Sequence, residues 1–188
     1  MPLSDNEIIA SIRKGDHRLY GRLVDRYKDR AMTLALRILR DRRDAEEAAQ
    51  DSFVRAYKAL DSFQGTAKFG TWLYRIVYNV CMTKVARNRR DSEFLALDED
   101  QLEVESDIPL AQEIEMKETA RIMKDTVEQL PEKYALMLSL FYFQELSHEE
   151  ICEVTQLPLG TVKIHLFRAR NLLRKRLSQK LYPENIAV

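Results

Sequence analysis

Glycine and proline are scarce, at five each in 188 residues, and the chain has two cysteines and one tryptophan. So few breakers leave little material for tight hairpin turns or strand bulges. No window shows the strict alternation of a half-buried strand, so the sequence excludes a sheet protein and points to an all-α fold. Two cysteines, Cys81 and Cys152, are too few for a disulfide framework and fit a reducing compartment. The longest apolar run, 134–143, is about half of what a bilayer helix needs, so no membrane insertion is expected. The first ten residues include Asp5 and Glu7 and no apolar core, so no signal peptide is expected and the location expected is cytoplasmic. No glycine-rich phosphate loop and no Ser–His or Cys–His arrangement is evident. Nothing supports catalysis or a cofactor.

Charge is abundant, and its balance conceals its placement. Thirty basic and thirty acidic residues cancel. Yet residues 71–90 carry five basic residues and no acid, and 161–180 carry seven and no acid, while 91–107 carry eight acids and no base. Two basic surfaces flanking an acidic strip imply two polyanion contacts.

Apolar residues recur at helical spacing through two blocks. In the first, Ser4 and Glu7 form a capping-box signature for a short helix ending near Gly15. A long helix over 16–40 places Leu19, Leu23, Tyr27, Ala31, Leu34 and Ile38 on one side. Asp41 or Asp44 can cap a third helix whose Ala45, Ala48, Ala49, Phe53, Ala56, Tyr57 and Leu60 face inward. A loop over 61–70 leads to a fourth helix, 71–90. Periodicity then fades into an acidic linker, 91–112, broken by Pro109 and expected to be flexible. The second block is expected to hold helices at 113–129, 131–145, 147–156 and 161–179, and the tail beyond Pro183 to fray. The domains so delimited are 1–90, a linker 91–112, 113–182 and a tail 183–188.

The sharpest motif is LSHEEICEVTQLPLGTVKIHLFRARNLLRKRL, residues 146–177. Ser147 and Glu150 make a capping box, and Leu146 and Ile151 sit where a hydrophobic staple would. Pro158 and Gly160 break the chain, and Thr161 can cap a second helix, which gives a helix-turn-helix. On that second helix Val162, Leu166, Ala169 and Leu173 stack on one face. Ile164, Phe167, Arg168, Asn171 and Lys175 fall opposite, flanked by Lys163 and His165. An apolar pair among cations suits a major groove, where cations meet phosphates and guanine edges and apolar atoms meet thymine methyls.

Helix 71–90 divides similarly. Leu73, Ile76, Val77, Val80 and Cys81 share one face; Thr71, Arg75, Tyr78, Asn79, Met82 and Arg89 share the other. Trp72 and Tyr74 sit on its shoulders, and Phe63 and Phe69 lie in the preceding loop, where Gly65 lets the Phe63 ring project. Aromatics interleaved with Arg and Asn suit unpaired bases, which stack on rings while cations hold phosphates. Lys84 starts from the buried side and has to snorkel outward to join Arg75, Arg87 and Arg89 on the backbone. In helix 44–60, acids Asp44, Glu46, Glu47 and Asp51 crowd the first turns, and Arg55 and Lys58 the last, which by itself is dipole matching.

DAEEAAQDSFVRAYKALDSFQGTAKFGTWLYRIVYNV, residues 44–80, closely resembles the polymerase-binding and promoter-melting segment of extracytoplasmic-function sigma factors of bacterial RNA polymerase. LPLGTVKIHLFRAR, residues 157–170, resembles their −35-reading helix. The resemblance spans both blocks in the family's order and spacing. It implies that Glu47, Gln50, Asp51, Val54, Arg55 and Lys58 meet the clamp of the largest polymerase subunit, with the second block on the flap of the second subunit. Phe63, Trp72, Arg75, Tyr78, Asn79, Lys84, Arg87 and Arg89 would open and hold the −10 element, Asn79 near a flipped base. Thr161, Lys163, Ile164, His165, Phe167, Arg168 and Arg170 would read the −35 element. An anti-sigma factor is an implied partner. Where relatives usually carry a small polar residue and an arginine, this chain has Ile164 and His165, so the resemblance does not carry over an exact −35 sequence.

Two other readings compete. A dimeric helix-turn-helix regulator that never touches polymerase explains 147–179 but leaves the first block without a role. A metal site at His148 and Cys152, a broken HExxH pattern, has two ligands where a structural site needs four, and no metal is expected.

Overall fold

The computed structural model of the chain describes residues 3–88, 125–127 and 129–181. The linker 91–112, the tail 183–188, nearly all of the helix expected at 113–129, and Arg89 lie outside the described residues. Among those described, every regular element is helical.

The first block has four helices. Helix α1, Asp5–Arg13, opens on the expected capping box: Glu7 N donates to Ser4 Oγ, and Ser4 N donates to the Glu7 carboxylate at 2.7 Å. Its Ile8, Ile9 and Ile12 are buried. The helix expected over 16–40 is split into a 3₁₀ turn, His17–Leu19, and α2, Tyr20–Leu39, because Asp16 makes no side-chain cap bond and the chain enters from Gly15 at positive φ. Asp41, rather than Asp44, caps α3, Arg42–Lys58, by accepting from Asp44 N at 2.8 Å. A 3₁₀ turn, Leu60–Ser62, and an exposed loop lead to α4, Phe69–Asn88. Ala31, Ala35, Ala45, Ala48 and Ala56 are fully buried, and such small side chains let α2, α3 and α4 pack closely around Leu23, Leu34, Leu73 and Val77. Tyr57, expected to face inward, is 39% exposed and rests on the rings of His17 and Tyr20.

In the second block, α5, Glu132–Leu138, follows Pro131. The helix expected to run on to 145 instead widens into a π turn, Ser139–Phe143, closed by Gln144 N donating to Ser139 O at 3.0 Å. The wider turn keeps Ser139 and Leu140 buried and leaves Tyr142 and Phe143 outside. Helix α6, His148–Thr155, has its capping box, and α7 runs Leu159–Leu181. The intervening turn owes its left-handed residue to Gln156 (φ 61°), not to glycine. Gly160 lies inside the first turn of α7, and Thr161 therefore does not cap that helix.

The blocks lie against one another. Met137, Leu140, Leu146, Ile151 and Val154 join the same apolar cluster as Leu34, Leu73 and Val77. A smaller cluster, with Leu130, Tyr134, Leu138 and Ala169, holds α5 to α7. Polar bonds cross the seam: Arg30 to Glu145 at 3.1 Å, Gln144 Nε2 to Arg30 O at 3.1 Å, and Arg40 to Glu132 at 3.2 Å. No described helix is long and apolar enough to cross a membrane.

Candidate nucleic-acid interface

Helix α7 presents the face its sequence foretold. Val162, Leu166 and Ala169 are at most 1% exposed, whereas Ile164 is 52% and Phe167 56% exposed. Lys163 and Arg170 stand out on the same helix, with Thr161 and Arg168 half-buried. Leaving two large apolar side chains in water among cations is costly for solubility alone and makes sense against thymine methyls and phosphates. Two members are already engaged. Arg170 lies over the rings of Phe141 and Tyr142, 4.9 and 5.8 Å from their centroids, and donates to Tyr142 Oη at 3.1 Å. His165 is half-buried with its ring edge-on to Tyr134. Burial, then the cations of Lys133 and Arg168, lower its pKa, so it is neutral at neutral pH and adds an imidazole rather than a charge.

On α4, Arg75, Asn79, Met82 and Arg87 are exposed, and Trp72 and Tyr78 are half-buried. Phe63 does not project from the loop. It is 6% exposed, packed at 5.0 Å on Trp72 and 5.9 Å on Phe69. Burying a whole aromatic ring beside two others outweighs any gain from exposing it. What projects is the polar stretch after it, where Gln64, Gly65, Thr66 and Lys68 are exposed. Lys84 is also spoken for. Its ammonium bonds Glu47 at 2.9 Å and Asp44 at 3.1 Å, which raises its pKa, and only 20% of its side chain is exposed. To hold a phosphate it has to leave two carboxylates.

Helix α3 offers a third surface. Glu47, Gln50, Val54, Arg55 and Lys58 are exposed; Asp51 is half-buried and bonded to Arg55 at 2.9 Å. Val54, at 51% exposed, lies one turn from the partly exposed ring of Tyr57, a residue whose spacing predicts an inward position. Its position three residues after Val54, one turn along the same face, was the available signal.

The seam between blocks covers part of the α4 surface, which the sequence did not reveal. Thr71, assigned to the exposed face, is 1% exposed. Its hydroxyl donates to Glu150 at 3.0 Å, and Lys68 pairs with the same carboxylate at 3.2 Å. Glu150 meanwhile accepts from Ser147 N at 2.8 Å in the capping box of α6. Burial works to raise its pKa, but the bonds from Ser147, Lys68 and Thr71 outweigh that and lower it. The basic face of α7 stays open while the surface of α4 is partly covered.

Among the described residues no three His, Cys, Asp or Glu side chains gather closely enough to hold a metal ion. His148 stacks instead on Phe141, at 5.4 Å between centroids. Burial pushes the Cys81 thiol up to about 12, so it stays protonated and inert.

The profile of Sigma-70 region 2 matches residues 23–91, and that of Sigma-70, region 4 matches residues 120–173. RNA polymerase sigma-H factor of Pseudomonas aeruginosa is 36% identical over 185 residues, spanning 94% of this chain and 95% of that protein. The ECF RNA polymerase sigma factor SigW of Bacillus subtilis is 34% identical, over 90% of this chain and 94% of its own. In fold, the chain resembles CnrH in complex with the cytosolic domain of CnrY, with a TM-score of 0.61 at 24% identity over 91% of this chain and 95% of that one. It also resembles the sigma factor RpoE in complex with the anti-sigma factor NepR from Bartonella quintana, with a TM-score of 0.63 at 19% identity over 85% and 96%.

Proposed function

The chain belongs to the sigma-70 family as an extracytoplasmic-function sigma factor, and from that premise we infer how its surfaces share the work of directing RNA polymerase to promoters. Residues 1–90 form the unit that docks on core polymerase and holds the −10 element. Residues 113–182 form the unit that reads the −35 element. The acidic stretch 91–112 joins them. The protein acts in the cytoplasm as a regulatory subunit without catalysis of its own.

The face of α3 from Glu47 to Lys58, with Val54 and Tyr57 as its apolar centre, is the dock for the polymerase clamp. The flap of the second subunit meets the second block. On α4, Arg75 and Asn79 face the opened strand, with Trp72 and Tyr78 beside them and Arg87 and Arg89 on its backbone. The polar loop after Phe63 reaches for the unpaired bases, and Phe63 supports it from beneath. On α7, Lys163, Arg168 and Arg170 hold the duplex while Ile164 and Phe167 meet base edges; Thr161 and His165 border that contact. An anti-sigma factor is a further partner of the chain; the sigma factor RpoE of similar fold is itself in complex with the anti-sigma factor NepR.

The observation that carries this reading is the exposed pair Ile164 and Phe167 on a capped helix-turn-helix, in a chain whose other block offers a separate apolar-centred face on α3. A dimeric regulator explains the helix-turn-helix but leaves the likeness of residues 23–91 to Sigma-70 region 2 without a role. Run-off transcription with core polymerase tests it directly. Promoter-specific transcript should appear only when this chain is added. Its absence at every promoter tried, together with a stable dimer in solution, would favour the regulator.

A further inference from the structure

Helix α1 precedes the residues that match Sigma-70 region 2. Its Arg13 end touches the start of the exposed loop 64–68, and its Asp5 end is linked to the loop's other end through Tyr27. At one end, Arg13 Nη2 donates to Leu60 O at 2.8 Å, to Asp61 O at 3.4 Å and to Phe63 O. One guanidinium thus gathers three carbonyls where the chain leaves the 3₁₀ turn Leu60–Ser62 and enters the loop. At the other end, the Asp5 carboxylate accepts from Tyr27 Oη and from Arg26. The Tyr27 ring lies so close to Gly70 that a Cβ there would meet it at 2.9 Å, and it packs edge-on to Phe69 at 5.4 Å. Gly70 and Phe69 are where the loop becomes α4. Between these posts only Gln64–Lys68 is left outside, with Gly65 at φ +71°.

We propose that α1 is a positioning element for promoter opening: Arg13 fixes the start of the loop 64–68, and Asp5, through Tyr27, fixes its end. A short polar loop that must capture unpaired bases loses conformational freedom on binding, and fixing its ends beforehand lowers that cost. The inference rests on the reading that this loop holds the −10 strand.

The test uses full-length chain assembled with core polymerase and, as probe, a single-stranded oligonucleotide carrying the −10 sequence. Arg13→Gln keeps polarity but cannot span the three carbonyls. Arg13→Lys keeps the positive charge and three donors on a flexible four-carbon stem. Tyr27→Phe removes only the hydroxyl that reaches Asp5. Measured well below Tm, Arg13→Gln should weaken oligonucleotide binding about tenfold, near the loss of one charge-assisted hydrogen bond. Tyr27→Phe should do so less, and Arg13→Lys should recover most of the loss, while affinity for core polymerase and for −35 duplex stays at the parent's value. If Arg13→Gln and Tyr27→Phe lower Tm but leave oligonucleotide affinity unchanged, α1 is only a stabilising strap. If Arg13→Gln fails to fold, Tyr27→Phe and Arg13→Lys carry the comparison alone. Replacing Gln64, Thr66 and Lys68 together by alanine checks the underlying reading. Unchanged oligonucleotide affinity in that variant removes the loop from base capture, and the proposal falls with it. A loss there without one in the α1 variants overturns the brace alone.

Discussion

Glu150→Gln isolates the seam between the two blocks. The parent carboxylate, 16% exposed, holds Thr71 at 3.0 Å, Lys68 at 3.2 Å and Ser147 N at 2.8 Å. The glutamine keeps the shape and one carbonyl oxygen, which suffices for the backbone bond of the cap. Lys68 is 79% exposed, so its ion pair contributes little, at most about 1 kcal/mol. The Thr71 bond is different, because its donor is buried and its acceptor charged. Such bonds contribute about 1.5–3 kcal/mol. The substitution should therefore cost about 2 kcal/mol, mostly through Thr71. In a chain of this length that lowers Tm by roughly 4–8 °C. Thr71→Val should cost a similar amount, and the double variant should cost little more than either, because both remove one interaction. The pH dependence follows from the lowered pKa of Glu150. Its stabilisation is fully present above the unfolded value of 4.5 and is lost as pH falls through the lower folded value. Below that range the parent and Glu150→Gln should melt alike. Thermal melts of the four proteins at neutral and acid pH decide it. Strict additivity of the two single costs would refute the seam as the source of the effect.

Asp51→Arg should reverse a charge on the α3 dock and reduce co-purification with core polymerase, while circular dichroism stays unchanged. Phe167→Ala should leave Tm nearly untouched, since the ring is 56% exposed, yet weaken −35 duplex binding by about 1–3 kcal/mol; unaltered binding would remove it from the reading face. Phe63→Ala should destabilise the fold by about 3–5 kcal/mol, because it empties a buried aromatic site, and a melt matching the parent's would contradict that packing. Asn79→Ala should leave stability intact but reduce permanganate reactivity of unpaired thymines at a cognate promoter, with at least partial recovery of activity on a template with a preformed bubble.

Local signals were legible where one helix and its own neighbours suffice to decide an outcome. The boxes at Ser4–Glu7 and Ser147–Glu150, the inward rows on α2 and α4 and the outward Ile164 and Phe167 all follow from spacing of about 3.6 residues and from side-chain reach to nearby backbone. So does the all-helical class. The sequence also carried, through residues 44–80 and 157–170, the resemblance that the relatives bear out. What it could not contain was the pairing of faces. Thr71 reads as outward and Tyr57 as inward along their own helices, yet docking of the second block seals Thr71 against Glu150, while Tyr57 rests on His17 and Tyr20 with its ring partly in solvent. Phe63 looked free beside a glycine, but two rings several residues downstream fold back to enclose it. Lys84 and Arg13 have no neighbours in sequence that could announce Glu47 or the carbonyl of Leu60. Helical periodicity is a property of one segment; burial, ion pairing and loop bracing depend on separations in space that the sequence leaves open until the helices pack.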